Sequence, residues 1–257
     1  MEFDLKGKTA IVTGAAGGIG AAIARDLANE GVHLTLSYHN KECGALVDEL
    51  KGRGCEILCV RADVAQWNDM EALAKATYER FGRIDILVNN AGIGYRGTVE
   101  DTQEEDWDRV MAVNLKSVYL LSKAVIKYMK QQRSGRIINI GSVVAKTSTN
   151  ARPWLDLQSS AKTGGGVYAA SKAGVHTITM TLAKELAPFG ITVNCVAPGP
   201  IQTPMTPQLP EPMKEQVPLG RIGYPEEISA FVVLLASSRG AFTTGEVIDV
   251  NGGLWMD

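Results

Sequence analysis

Histidine is scarce in this chain: three occur in 257 residues, His33, His39 and His176. They lie in separate segments, which leaves no histidine-based metal site. The four cysteines, Cys43, Cys55, Cys59 and Cys195, match neither a zinc spacing nor a C-x-x-C pair. Cys55, Ile57 and Cys59 alternate onto one face of an expected strand, and all four read as reduced, partly buried thiols of a cytosolic chain. There is no apolar run of membrane-spanning length, since the longest, Phe231–Ala236, stops far short. The N-terminus, Met-Glu-Phe-Asp-Leu-Lys-Gly-Lys, lacks a basic-then-apolar leader and enters a strand directly. Nor is there an excess of one charge: the formal net charge is -2 and the charges are dispersed. That balance argues against a nucleic-acid footprint or a polybasic membrane surface. A soluble cytoplasmic protein without a metal is the expectation.

What is present is apolar content and alternation. Hydrophobic residues make up 45% of the chain, enough for one large core, so residues 1–257 read as a single domain. Short apolar runs at Thr9–Thr13, Leu34–Ser37, Ile57–Arg61, Ile86–Asn89, Ile137–Ile140, Thr192–Ala197 and Val247–Val250 read as buried strands. Helical patterns fall between them, at about Gly18–Asn29, Lys41–Lys51, Trp67–Phe81, Glu104–Gln131, Tyr168–Ala187 and Pro225–Ala236. Such alternation predicts an α/β fold with a parallel sheet covered by helices on both faces. Two loops interrupt it, an insertion at about 145–166 and a proline-rich segment at about 198–223, and long loops of this kind tend to bind or cover ligands.

Two motifs carry the chemistry. Thr13-Gly-Ala-Ala-Gly-Gly-Ile-Gly20 follows the first strand and opens the first helix. In that setting Gly14 permits a tight turn, Gly18 lets a pyrophosphate approach the backbone, and Gly20 allows close helix–strand packing. The helix N-terminus supplies amide donors for phosphate. Tyr168-Ala-Ala-Ser-Lys172 places a phenol and an ammonium on one helix face. A phenol with its ordinary pKa of about 10 is a poor acid or base near neutrality, and a fixed positive charge brings it towards the working range. Alone, Y-x-x-x-K is common by chance. Here it follows the Gly-rich turn, Asn89-Asn-Ala-Gly92, Asn114 and Ser142 in the order a dinucleotide oxidoreductase needs.

Together with Pro198-Gly199 and a Val250-Asn-Gly-Gly253 end, these motifs identify a chain that resembles the short-chain dehydrogenase/reductase family over essentially its whole length. The resemblance implies a doubly wound, seven-stranded Rossmann-type sheet, a nicotinamide cofactor and hydride transfer between that cofactor and a carbonyl or secondary alcohol. By resemblance, Gly14, Gly18, Ile19 and Gly20 bind the pyrophosphate end, Asp63 and Val64 the adenine, and Asn90, Ala91 and Gly92 the adenosine ribose. Ile201 and Thr203, after Pro198 and Gly199, hold the carboxamide. Tyr168 matches the general acid/base, Lys172 the lysine that holds the nicotinamide ribose and lowers the tyrosine pKa, Ser142 the serine that binds the substrate oxygen, and Asn114 the asparagine that orders a relay water.

The choice of cofactor turns on the end of the second strand. An acid about 20 residues after the Gly-rich turn would bind the ribose 2′-hydroxyl and repel a 2′-phosphate. Ser37 takes that position in our reading and is neutral, which favours NADP over NAD, with His39 or Lys41 as the cationic partner. Against this, Gly17 stands where many NADP-using relatives carry Arg or Lys.

Ser142 and Tyr168 are about twice as far apart as in most relatives, because of the insertion. It leaves a strand end and returns beside the tyrosine, so a specificity lid is expected, with Gly164–Gly166 as hinge and Trp154, flanked by Arg152 and Asp156, as its apolar cover. Ser159 or Ser160 is the alternative to Ser142. Arg136–Val144 resembles 3-oxoacyl-[acyl-carrier-protein] reductases, and Lys123, Lys127, Lys130, Arg133 and Arg136 either dock an acidic carrier or form a solvated helix end. Phe189 stands where those reductases commonly have arginine, so a small carbonyl or alcohol remains an equal substrate class. His176 reads as a packed residue rather than a second base. The resemblance also implies a homotetramer, with the Glu104–Gln131 and Tyr168 helices pairing across a two-fold axis and Gly253–Met256 in a second interface. A non-catalytic dinucleotide-binding regulator is the alternative from a different class.

Overall fold

The computed structural model describes residues 3–148, 165–204 and 215–256. Seven strands form one parallel sheet: β1 (Thr9–Thr13), β2 (His33–Tyr38), β3 (Ile57–Arg61), β4 (Ile86–Asn89), β5 (Gly135–Ile140), β6 (Ile191–Pro198) and β7 (Val247–Val250). Their order is β3-β2-β1-β4-β5-β6-β7, so the chain runs outward from β1 in one direction and then returns to build the other half. The central strands β1, β4 and β6 are buried along their whole length, as strands covered on both faces must be, whereas the edge strands β3 and β7 are partly open.

Strand alternation divides the core. Ala10, Val12, Leu34, Leu36, Ile86, Val88, Ile138 and Ile140 meet α1 (Gly18–Asn29), α2 (Gly44–Leu50) and the Pro225–Ala236 helix on one face. Ile11, Leu87, Ile137, Ile191 and Val193 meet α3 (Trp67–Phe81), α5 (Ser117–Gln132) and the Tyr168-bearing helix on the other. Because every strand is parallel, the C-terminal ends of all seven fall along one edge, where open α/β sheets bind their ligands.

The helix expected over Glu104–Gln131 runs from Glu104 to Gln132 and widens once on the way. α4 (Glu104–Met111) passes through a π-helical turn, Ala112–Lys116, before α5. Asn114 sits in that turn, fully buried, and its amide grips another segment, which gives the helix a reason to widen there. After β5 the short α6 (Val144–Thr147) follows, then α7 (Gly166–Leu186), then α8 (Pro225–Ala236). Pro225 occupies the first turn of α8, and Glu227 accepts from the Tyr224 amide at 2.8 Å and from both terminal nitrogens of Arg221 at 2.7 Å.

One sequence expectation is corrected here. Cys43 and Cys59 are joined as a disulfide with their Cα atoms 6.8 Å apart, while Cys55 and Cys195 are free. Cys43 ends the turn before α2, and Cys59 pairs in the sheet with Leu36, the residue whose carbonyl Cys43 also approaches. The pairing arises from tertiary packing and has no spacing signature. Among the described residues no helix is long and apolar enough to cross a membrane, and no group of three or more His, Cys, Asp or Glu is placed to hold a metal ion.

Candidate active site

The Gly-rich turn is bound to the strand beside it by a small polar knot. Thr13 Oγ1 accepts from the amides of Asn90 and Ala91, both at 3.0 Å, and the Asn90 side chain donates to the carbonyls of Thr13 and Gly14 at 2.8 and 3.2 Å. Gly14 has φ 63, and a Cβ on it would lie 3.0 Å from Ala91 Cα; a Cβ on Gly20 would run into the Gly14 carbonyl and the Asn90 amide. No side chain fits at either position, so the start of α1 lies close beneath the turn, a cradle suited to a pyrophosphate. Ile19, next in the turn, is half-buried against the core. Across from it, the loop after β6 brings Thr203 to within 3.4 Å of where a Gly18 Cβ would be. That loop is pinned at its root, since the Gly199 amide donates to the Val250 carbonyl at 2.9 Å and buried Ile201 bridges to Gly223.

Three of the expected reacting groups converge at the end of β5. Ser142 is buried just beyond the strand, where its hydroxyl accepts from the Val144 amide at 3.3 Å and faces the Tyr168 phenol closely enough to lower its pKa. Tyr168 is half-buried on the first turn of α7. Burial pushes its phenol above the ordinary value, and the Ser142 hydroxyl opposes that rise. Lys172, 4% exposed, donates to the Ile140 carbonyl at 2.7 Å, and its ammonium stands 5.9 Å from the centre of the Tyr168 ring. Burial lowers the lysine to about 8, partly offset by the Cys195 thiol.

Asn114 joins the halves of the site. Its Oδ1 accepts from the Ile93 amide at 2.8 Å, and its Nδ2 donates to the Ile93 carbonyl at 3.0 Å and to Ser171 Oγ at 3.1 Å. Ser171 in turn donates to the Tyr168 carbonyl at 2.7 Å. A Cβ on Gly92 would lie 3.4 Å from Asn114 Oδ1 and 3.6 Å from Lys172 Nζ, so Gly92, Asn114 and Lys172 meet at one point.

Below this layer runs a buried polar ladder that sequence reasoning missed. Asn89 donates to Asn139 Oδ1 at 2.9 Å and to Ser122 Oγ at 3.3 Å; Asn139 donates to Thr179 Oγ1 at 2.9 Å, and Thr179 to the Val175 carbonyl at 2.7 Å. It locks β4, β5, α5 and α7 in one register. The visible signal was an asparagine closing the apolar run of β4 and another within the apolar run Ile137–Ile140 of β5, where a polar residue needs a buried partner.

Ser37 is not where our reading placed it functionally. It is 1% exposed, and its hydroxyl finds no hydrogen-bond partner. Leu34, Leu36 and Tyr38 share the face covered by α1, into which the Gly-rich turn leads, and Ser37 points to the opposite face. A one-residue offset moves a strand side chain across the sheet. The residue at the end of β2 that faces the turn is the half-buried Tyr38, which is also uncharged. His39 is exposed, and its carbonyl accepts from Arg61 at 3.3 Å. Asp63 caps its own turn through the Ala65 amide at 3.0 Å, beside half-buried Val64. His176 is buried against Gly141 and Cys195.

Four of the five cations in the basic cluster lie over aromatic rings. Lys123 sits 4.7 Å above Trp67, Lys127 5.0 Å above Tyr128, and Lys130 4.3 Å and Arg133 5.9 Å above Phe189. The fifth, Arg136, is half-buried. Trp154, Arg152, Asp156, Ser159, Ser160 and Gly164 lie outside the described residues, as does 205–214 of the second loop.

A family model described as enoyl-(acyl carrier protein) reductase matches residues 14–255. The chain is 43% identical, over 99% of its length and 100% of the relative, to a 3-oxoacyl-[acyl-carrier-protein] reductase of Vibrio cholerae. It is 41% identical to the Thermotoga maritima protein of the same name, over 97% of this chain and 98% of that one. Among solved structures, a dehydrogenase/reductase of Sinorhizobium meliloti superposes with a TM-score of 0.89 at 37% identity, covering 99% of this chain and 98% of that chain. A short-chain dehydrogenase/reductase of Serratia marcescens does so with 0.88 at 36%, covering 97% and 98%.

Proposed function

The chain belongs to the short-chain dehydrogenase/reductase family and is an NAD(P)-dependent oxidoreductase, and from that footing we propose that it reduces a ketone to a secondary alcohol with NADPH, Tyr168 giving the proton. The observation that carries this reading is the gathering of Tyr168, Ser142 and buried Lys172 at the end of β5, with the Lys172 ammonium 5.9 Å from the centre of the Tyr168 ring.

When bound, the nicotinamide supplies the hydride. Gly14, Gly18 and Gly20 form the cradle for its pyrophosphate, with Ile19 beside them; Asn90, Ala91 and Gly92 line the ribose side, and Asp63 and Val64 the adenine side. Pro198, Gly199, Ile201 and Thr203 close over the nicotinamide end. Ser142 donates to the substrate oxygen, which orients the carbonyl and steadies the negative charge that grows there. Tyr168 then transfers its phenolic proton to that oxygen, and the buried state that holds its pKa high keeps it protonated at neutral pH, as an acid must be. Lys172 is the near cation that favours the phenolate left behind. The Asn114 amide is spent on Ile93 and Ser171, so a relay water would be held by the main chain of the π-helical turn rather than by that side chain.

A second substrate reading is a 3-oxoacyl thioester on a carrier protein, supported by the names of the Vibrio cholerae and Thermotoga maritima relatives. Phe189 counts against it, because it holds Lys130 and Arg133 over its ring where those enzymes commonly present an arginine. The supporting features for a homotetramer are exposed Trp107, Tyr119 and Met180 on α4, α5 and α7, and exposed Trp255 and Met256 at the C-terminal end. We place the protein in the cytoplasm. The deciding experiment is NADPH and NADH consumption over a panel of small ketones, 3-oxoacyl-coenzyme A and 3-oxoacyl carrier protein. Turnover on any of them supports the reductase, selective turnover on the carrier-bound form selects the second reading, and tight cofactor binding without turnover on all of them contradicts both.

A further inference from the structure

Ser142 lies past the last residue of β5, so the residues that follow it must hold its side chain in place. The Val143 amide donates to the Pro198 carbonyl at 2.9 Å, and the Ala145 and Lys146 amides donate to the Ser142 and Val143 carbonyls at 3.1 and 3.0 Å, which winds the chain into α6. Val144, whose amide the Ser142 hydroxyl accepts from, is the first residue of that helix. α6 is four residues long and buries none of them, so apolar packing supplies little to fix where it sits. An ion pair does so instead. Lys146 Nζ donates to Asp249 Oδ2 at 2.6 Å, across 103 residues of chain, and the two side chains are 17 and 18% exposed. Asp249 stands on β7 level with Ala197 of β6, and it alternates with Val247 onto the face where Cys195 is buried. Lys172, Asp249 and Lys146 all bear on the Cys195 thiol from that face. Beyond Lys146 the chain leaves α6 through Ser148 at φ 62, so the pair stands between Ser142 and the rest of the insertion.

We propose that the Lys146–Asp249 ion pair is the positioning device for Ser142: by tying α6 to β7 it holds the serine hydroxyl at the end of β5, where the Tyr168 phenol and the substrate oxygen meet it. The proposal rests on the reductase reading and names two residues that act in it without touching the reactants. The Val143–Pro198 bond anchors the chain on one side of Val144 and the ion pair anchors it on the other, so the amide that orients the Ser142 hydroxyl is held between two fixed points. A short, charge-assisted bond fixes a distance more sharply than apolar contact does, and two charges shielded from water have no other arrangement of equal energy to slide into.

The test replaces the pair by Lys146→Met with Asp249→Leu, which removes both charges and keeps the bulk, so the fold should persist. NADPH affinity, by fluorescence titration, should stay within about threefold of the unaltered protein, while kcat on the best ketone of the panel should fall about ten- to a hundredfold. In a Ser142→Ala background the same replacement should change kcat by less than about threefold, because no hydroxyl is left to misplace. Lys146→Arg, which keeps the pair, should retain kcat within about threefold. Unchanged kcat in the apolar variant overturns the proposal. So does an equal loss with and without the Ser142 hydroxyl, which would make the pair a general support of the site. If the apolar variant does not fold, Asp249→Asn in the two backgrounds decides by the same comparison. Absence of turnover in the unaltered protein would remove the reductase reading and the proposal with it, whereas normal turnover that ignores the pair removes the proposal alone.

Discussion

Lys172 donates to the carbonyl of Ile140 at 2.7 Å, a bond that ties the second turn of α7 to the last residue of β5 and holds an ammonium almost wholly out of water. The group therefore does two things at once: it fixes the helix bearing Tyr168, and it keeps a desolvated positive charge 5.9 Å from the centre of the Tyr168 ring.

That burial has a measurable cost. The folded pKa of Lys172 is about 8 against an ordinary value of 10.5, so between these limits the unfolded chain binds more protons than the folded one. Stability attributable to Lys172 then rises with pH across that window, and below it the buried charge costs about 3 kcal/mol. Urea unfolding of the wild type and Lys172→Met at a series of pH values should show their difference changing in favour of the wild type by up to that amount from pH 7 to 10. Parallel curves would mean that Lys172 is not desolvated.

Asn114→Ala strips both bonds from the Ile93 main chain and one from Ser171. Leaving those buried groups unpaired should lower stability by roughly 2–4 kcal/mol. Turnover should fall as well, since Ser171 and the Tyr168 backbone lose their brace. Chemical denaturation measures the first effect and steady-state kinetics the second; a variant of wild-type stability would refute the clamp.

If Tyr168 gives the proton, carbonyl reduction must fall as pH rises through its ionisation, and alcohol oxidation, which needs the phenolate, must rise. The raised pKa in the cofactor-free site puts this limb on the alkaline side of neutrality. Profiles of kcat/KM in both directions test the sign, and a reduction rate that climbs with pH would contradict it.

Assembly is open to a direct check. Light scattering at micromolar concentration should give a mass near four chains, and Tyr119→Lys or Met180→Lys should lower it, because each places a charge in an exposed apolar patch on α5 or α7. A monomeric wild type would refute the tetramer.

Much of this was readable from the chain because strands covered on both faces are written as short apolar runs. Thr9–Thr13, Ile57–Arg61, Ile86–Asn89 and Val247–Val250 start and stop where the pattern says. The helices Gly18–Asn29, Trp67–Phe81 and Pro225–Ala236 do so too, bounded by glycine and proline signals. What escaped was set by contacts across the fold. The π-helical turn at Ala112–Lys116 accompanies a side chain gripping a distant loop, and local helical periodicity carries no trace of that. The Cys43–Cys59 bond joins two segments that only the sheet brings together. Ser37 was misplaced by one residue, and in a strand that is enough to send a side chain to the wrong face.

The most direct test of the account is Tyr168→Phe, which deletes the phenolic oxygen and keeps the ring. NADPH affinity, measured by fluorescence titration, should stay within about threefold of wild type, while turnover on the best ketone of the panel should fall by about two to four orders of magnitude. Turnover within a few-fold of wild type, with cofactor bound normally, would show that the proton comes from elsewhere and would contradict the assignment of Tyr168 as the acid.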